Sequence, residues 1–427
     1  MSKVYNILVF PGGTEIGLEV FRSLQHCKDV RLFSAGQDTS NHAPFVFLRH
    51  FTVPSIHDAG WINALNEVIV SNSIDYVIPA YDDIIVALAS NADALAARII
   101  SSPLETCLLT RSKRETYRFF EGVVPTPRVY SSPEDVTEFP VFVKPDQGQG
   151  AEDTHLVNDL HALRTILACR KDMVIMEYLP GDEYTVDCFS DRDAGLLFCG
   201  GRQRVRTKSG ISMSSRPVHD AVFEEYARAI GRKLVFHGAW FFQVKRNAEG
   251  VCTLLEIAPR IAGTMALHRV QGVNFPLLSI YEQERIPVSI MSNDAAVEID
   301  RALTNRYRHD IGYGTVYVDL DDTLIFNGSV NVSLIAFIYQ CINRGVTVKL
   351  LTRHRFDLTE TLTRYRLQGI CDEVIHIDQS CSKADYITEQ DAILIDDSFS
   401  ERKSVRERLG IPTFDCSMLE LLVDERG

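Results

Sequence analysis

Between residues 316 and 325 the chain reads VYVDLDDTLI, an apolar run that ends in acids. Alternation along an extended strand turns Asp319 and Asp321 to the same side, and strand C-termini are where open α/β sheets hold ligands. A carboxylate so placed can attack phosphorus to form an aspartyl phosphate. A second carboxyl close by can pass a proton to the leaving oxygen. Further along, Thr352 ends the apolar run VTVKLLT, Lys383 lies in SKADY, and Asp396 and Asp397 end AILIDD. A helix cap needs one Asp or Thr. Acids doubled at two strand ends repel one another, so they ask for a divalent ion and for Lys383.

A second set of residues has the types that nucleotide use requires: cations for phosphates, acceptors for adenine and ribose, and carboxylates or amides for Mg²⁺. In chain order they are Lys113 in TRSKRE, Lys144 in VFVKPDQGQG, Glu177 in VIMEYLPG, Glu183 in GDEYTVD, Gln243 in WFFQVKR, and Glu256 and Arg260 in LLEIAPR. Arg204 is a weaker candidate of the same kind. A single Lys or Glu is usually a solvated surface charge. A charge beside an apolar strand end, as at Lys144, Glu256 and Arg260, needs a partner.

The elements that must carry these groups fall into three stretches. YNILVF at 5–10 reads as a strand, Pro11-Gly12-Gly13 as a turn, and Ile16, Val20, Phe21 and Leu24 as one face of a helix, which together open a doubly wound unit. The glycines at 12, 13 and 17 do not make a strict GxGxxG, and no acid closes the second strand, so a dinucleotide site is not expected. The turn either packs helix on sheet or helps to hold substrate. A helix near 111–121 leads into Val124-Pro125-Thr126-Pro127, a linker because proline cannot continue a helix. Strand-like runs then dominate from about 139 to 270, broken by helices near 158–169 and 221–235, which implies α+β with a largely antiparallel sheet. After Ile311-Gly312-Tyr313-Gly314, helices alternate with apolar runs, as in a parallel α/β domain.

The order of the second set resembles the ATP-grasp family in its carbamoyl-phosphate-synthetase-like branch, over roughly residues 1–290. The resemblance implies a Rossmann-like pre-ATP-grasp domain at 1–105 and an ATP-grasp domain at 106–300. It implies Lys113 and Lys144 on the ATP phosphates, Glu177 at the adenine and Glu183 on the ribose. Gln243 and Glu256 would hold Mg²⁺ or Mn²⁺, and Arg260, with Arg204, would stabilise charge on the transferring group. Such enzymes join a small-molecule carboxylate to an amine through an acyl phosphate. The family pattern Glu-x-Asn-Pro-Arg is broken here by Ala258 where Asn serves as a metal ligand. The acidic set at 314–427 resembles the haloacid dehalogenase phosphatases without a large cap. That resemblance implies Asp319 as nucleophile, Asp321 as general acid/base, and Thr352 and Lys383 on the phosphoryl group of a phosphorylated substrate. Mg²⁺ would sit on Asp319, the Asp321 carbonyl and Asp396, supported by Asp397. The combined expectation is a bifunctional ligase and phosphatase. The alternative is a phosphatase regulated by a weakly catalytic nucleotide-binding module.

A net charge of −13 argues against a protein that grips nucleic acid, which would show a basic face. The ten cysteines are scattered without CxxC spacing, so they read as reduced thiols. MSKVYNILVF enters a strand without a signal-peptide pattern, and no apolar run reaches bilayer length. A cytoplasmic enzyme follows as the expectation, with no membrane partner. A homo-oligomer is compatible with it.

Overall fold

Short apolar runs become buried strands throughout the chain, and their partners are set over long sequence separations. In the computed structural model, which describes residues 3–148, 150, 152–293 and 295–426, the chain divides into units Met1–Ala302 and Leu303–Arg426. No helix among the described residues is long and apolar enough to cross a membrane.

Unit 1 opens with a parallel sheet of β1 (Tyr5–Phe10), β2 (Val30–Gly36), β3 (His50–Thr52), β4 (Tyr76–Pro79) and β5 (Arg98–Ile99), in the order β3-β2-β1-β4-β5. The turn after β1 feeds the helix Glu15–Leu24, whose N-cap Thr14 accepts from Gly17 N at 3.0 Å. The glycines of this turn serve close packing. A Cβ on Gly12 would lie 2.5 Å from Ser34 Cβ, and one on Gly17 would lie 2.6 Å from the Gly12 carbonyl oxygen.

Two antiparallel sheets follow. The smaller contains β6 (Val129–Tyr130), β7 (Val141–Pro145), β8 (His155–Val157) and β9 (Met173–Glu177), in the order β6-β9-β7-β8. The larger contains β10 (Glu183–Asp191), β11 (Gly195–Lys208), β12 (Ile211–Val218), β13 (Gly238–Arg246), β14 (Cys252–Ala258) and β15 (Ile299–Asp300), in the order β14-β13-β10-β11-β12-β15. The expected helices appear as Lys113–Phe120, Leu160–Cys169 and Ala221–Gly231. One buried cluster joins Ile7, Val9 and Phe21 to Phe241, Ala258 and Phe275, so the parallel sheet and the larger antiparallel sheet share a core.

Unit 2 is a parallel sheet of β16 (Thr315–Val318), β19 (Thr347–Thr352), β20 (Glu373–His376), β21 (Ala392–Ile395) and β22 (Thr413–Phe414), in the order β20-β19-β16-β21-β22. A hairpin, β17 (Ile325–Phe326) and β18 (Ser329–Val330), follows β16. The fully buried Val316, Val318, Leu350, Ile393 and Ile395 line these strands. The ends of β16, β19 and β21 therefore lie side by side, and each carries a residue singled out by its chemistry.

Candidate functional sites in the two units

In unit 1 the smaller and larger sheets flank a cleft of about 850 Å³. Phe142, Met176, Leu179 and Leu255 give it an apolar slot, and Lys113, Lys144, Glu183, Arg204, Gln243 and Glu256 give it charge and hydrogen-bonding groups. Ser112 caps the helix that begins at Lys113. Lys113 Nζ donates to the carbonyls of Asp146 and Gly148 at 3.2 and 3.0 Å. Lys144 ends β7, and its Nζ reaches the Leu255 carbonyl at 3.5 Å and stands 5.5 Å from the Tyr117 ring centre. Both lysines are buried. Burial, and then the Lys113 charge, pull the Lys144 ammonium down to about 7, and burial also lowers Lys113. A bound anion would relieve both, so the pair suits a phosphate chain.

Gln243 and Glu256 pair directly across β13 and β14. Their oxygens are hard donors of the kind Mg²⁺ takes. Glu183 lies 2.9 Å from Arg204 Nε, and Arg204 Nη2 donates to the Gly210 carbonyl at 2.5 Å. Arg260 stands apart from the apolar slot, in an adjoining chamber that Gln243, Glu256 and Arg204 also line. It is paired with Asp82, with Nη2 to Oδ2 at 3.0 Å, and its guanidinium lies 5.0 Å from the Phe241 ring centre. That pair holds Asp82 below the usual carboxylate range despite a strong opposing effect of burial.

Glu177 is turned away. Its carboxylate accepts from Arg128 N at 2.9 Å, and the residues after it, Tyr178 and Leu179, line the cleft instead. Ala258 puts its methyl into the shared core, in register with Phe241. Asp82 and the apolar slot were missed in sequence, because no motif marks an acid in the first turn of a helix or a wall residue.

In unit 2 a chamber of about 960 Å³ lies over the strand ends, lined by Asp319, Asp321, Lys383, Asp396 and Asp397. Lys383 Nζ sits 2.6 Å from both Asp319 and Asp396. Carboxylate oxygens of Asp319, Asp396 and Asp397 come within 4.8 Å of one another, a donor set that fits a divalent cation. Burial, with Asp396 adding to it, pushes Asp319 up to about 7 against the pull of Lys383. Thr323 Oγ1 donates to Asp397 at 3.2 Å. Asp396 accepts from Ser398 N at 2.8 Å.

Asp321 is half exposed and lies outside that carboxylate group. His354 holds it, with Nδ1 at 2.9 and 3.0 Å from its two oxygens and Nε2 at 2.8 Å from Thr361 Oγ1. Thr352 is fully buried and does not line the chamber, and its Oγ1 accepts from His354 N at 3.2 Å. His354 was not read from sequence. In LLTRHRF it resembles a surface basic run, and its burial depends on the helix Leu358–Arg364.

Residues 169–306 match the family model described as ATP-grasp in the biosynthetic pathway with Ter operon. No curated protein sequence matches the chain. Among solved structures, biotin carboxylase from Campylobacter jejuni in a β-γ-ATP complex is similar at TM-score 0.56 and 14% identity, over 67% of this chain and 72% of that one. N5-carboxyaminoimidazole synthetase from Staphylococcus aureus complexed with ADP gives 0.57 and 14%, over 69% and 80%. L-amino acid ligase from Bacillus licheniformis gives 0.53 and 17%, over 68% and 76%. The family-model match and these neighbours together show a mixed α/β, ATP-grasp-like fold over the 67–69% of the chain that the neighbours cover.

Proposed function

We propose that the chain carries two phosphoryl-transfer sites, an ATP-dependent carboxylate–amine ligase in unit 1 and a haloacid-dehalogenase-type phosphohydrolase in unit 2. The observation that carries the first is the pair of buried lysines, Lys113 and Lys144, sharing one cleft with Gln243, Glu256 and an apolar slot. The similar biotin carboxylase and N5-carboxyaminoimidazole synthetase structures are ATP-type and ADP complexes, which supports the same reading.

In this reading the lysines hold the ATP phosphates. The slot of Phe142, Met176, Leu179 and Leu255 takes adenine, and backbone just after Glu177 meets its edge. Glu183 takes the ribose. Gln243 and Glu256 fit Mg²⁺ or Mn²⁺, which when bound offsets phosphate charge. A substrate carboxylate oxygen attacks the γ-phosphorus and ADP leaves. An amine nitrogen then attacks the acyl carbon and phosphate leaves. Arg260, braced by Asp82, stabilises the negative charge of that acyl phosphate. ADP release that requires both an acid and an amine is the expected result, and its absence with every acid–amine pair tried would sink the ligase reading.

For unit 2 the carrying observation is Lys383 bridging Asp319 and Asp396. Asp319 attacks the substrate phosphorus, and Asp321 protonates the leaving oxygen and then activates water. Lys383 steadies the phosphoryl group, and Thr352, buried at the strand end, helps to position His354 through the His354 backbone N–H. Asp319, Asp396 and Asp397, with the Asp321 carbonyl, fit Mg²⁺, whose charge would let the acids sit together. Hydrolysis of p-nitrophenyl phosphate should require Mg²⁺ and vanish in Asp319→Asn.

Ala258 favours a second reading, in which unit 1 binds nucleotide without turning it over, because the usual amide ligand is missing. Ala258→Asn separates the two. New ATP turnover in the variant, where the natural chain has none, would support the binding module.

A further inference from the structure

Past Gln243 and Glu256 lies the adjoining chamber, of about 1020 Å³, whose wall carries Arg202, Arg204, Arg260 and Arg301. Arg204 and Arg260 have their charge answered by Glu183 and Asp82, although Arg204 Nε makes no hydrogen bond among the described residues. The other two have donors left over. Arg202, on β11, is 1% exposed and gives Nε and Nη2 to Asp187 at 2.7 and 3.2 Å. Its Nη1 has no acceptor among the described residues. A buried charged donor without a partner is destabilising, so such a group is kept where something completes it. Arg301 follows β15, donates Nη2 to the Gly263 carbonyl at 2.6 Å, and makes no ion pair among the described residues. Burial, with Arg202 and Arg22 adding to it, pulls Arg301 below its usual range in spite of Glu15 and Glu19. Arg202 and Arg301 thus repel each other beside a partly open space, and Ser212 and Thr264 add hydroxyls to its wall.

We propose that this chamber binds an acid carrying a second anionic group, a dicarboxylate or a phosphorylated carboxylic acid, with the second anion held by Arg202 Nη1 and Arg301. The proposal rests on the ligase reading for what happens to the first carboxylate, which would lie toward Arg260 and Glu256. It places the specificity for substrate charge on residues remote from the ATP phosphates. Guanidinium groups suit both kinds of anion, because their fork matches carboxylate and phosphate alike.

Calorimetric titration of the full chain without nucleotide, at fixed ionic strength, tests this with glutarate, 3-phosphoglycerate and butyrate. Glutarate or 3-phosphoglycerate should bind at least about tenfold more tightly than butyrate, as one charge-assisted hydrogen bond would give. Preference for glutarate or for 3-phosphoglycerate identifies which kind of anion is read. Arg301→Gln should remove most of that preference. Arg202→Lys, which keeps a charge for Asp187 but loses the free Nη1, should do the same. If Arg202→Lys fails to fold, Arg301→Gln decides alone. Equal binding of all three acids, or a preference that survives Arg301→Gln, overturns the proposal. Absence of ADP release would sink the ligase reading while leaving the binding result standing.

Discussion

Lys144 is the residue whose chemistry is most dependent on what shares its cleft. In the free chain, burial and the neighbouring Lys113 hold its ammonium at about 7 instead of the ordinary 10.5. Folding with a lowered lysine pKa means that the folded state releases its proton first. Stability from this group is therefore full above the unfolded value and is lost as pH falls through the folded one. An ATP phosphate chain at Lys144 would reverse the shift, since an adjacent anion favours the charged amine. ATP binding at pH 8 should then take up roughly one proton, the most a single amine can supply. Titrations in buffers of different ionisation enthalpy measure it. Lys144→Met should abolish the uptake, and equal heats in all buffers for the natural chain would argue against phosphates at this lysine.

At the scale of elements, the first turn shows how packing and site-building compete. Gly17 presses its helix onto the Gly12 carbonyl, and a Cβ there would approach the oxygen to 2.6 Å. Backbone offers no side chain to swing aside. Gly17→Ala should therefore cost about 1–3 kcal/mol, as overpacking does, measurable by chemical denaturation. An unchanged midpoint would mean that the helix can shift freely. Strands such as β1, β9 and β16 were legible because buried strands are written as short apolar runs. Their partners were not, because pairing is settled by contacts far apart in sequence. Glu177 illustrates this: its carboxylate is claimed by Arg128, the residue just before the two-residue strand β6, too short to leave a pattern. Arg202 stands in GGRQRVRTK, where alternating basic residues read as a solvated strand edge. Its burial comes from Asp187 on the neighbouring β10, which is paired with β11. Arg301 was missed because β15 is a two-residue strand added to β12 from far along the chain. Asp319 and Asp396 were legible for the opposite reason, since each directly follows an apolar strand, whereas Asp321 lies in the turn beyond β16, where strand alternation no longer sets its side.

The chain divides into two units, each with its own buried core, and the proposed reading places one set of phosphoryl-handling groups in each. In the proposed reading, the unit 1 lysines and the Gln243 and Glu256 oxygens suit a polyanion that arrives with its own phosphates. In unit 2, Asp319 and Asp396 flank Lys383, which in that reading suits attack on phosphorus by a carboxylate. Neither set borrows a residue from the other among those named. If both readings hold, the activities separate cleanly. Asp319→Asn replaces the nucleophile with an amide of nearly the same shape, so p-nitrophenyl phosphate hydrolysis should fall at least about a thousandfold, the scale on which loss of a nucleophile acts. Acid- and amine-dependent ADP release should persist in that variant. Lys144→Met should do the reverse, losing ADP release and keeping hydrolysis. Loss of both activities in either variant, with the circular dichroism spectrum unchanged, would mean that one reaction feeds on the other's site, and the two-site reading would have to be replaced by a single coupled one.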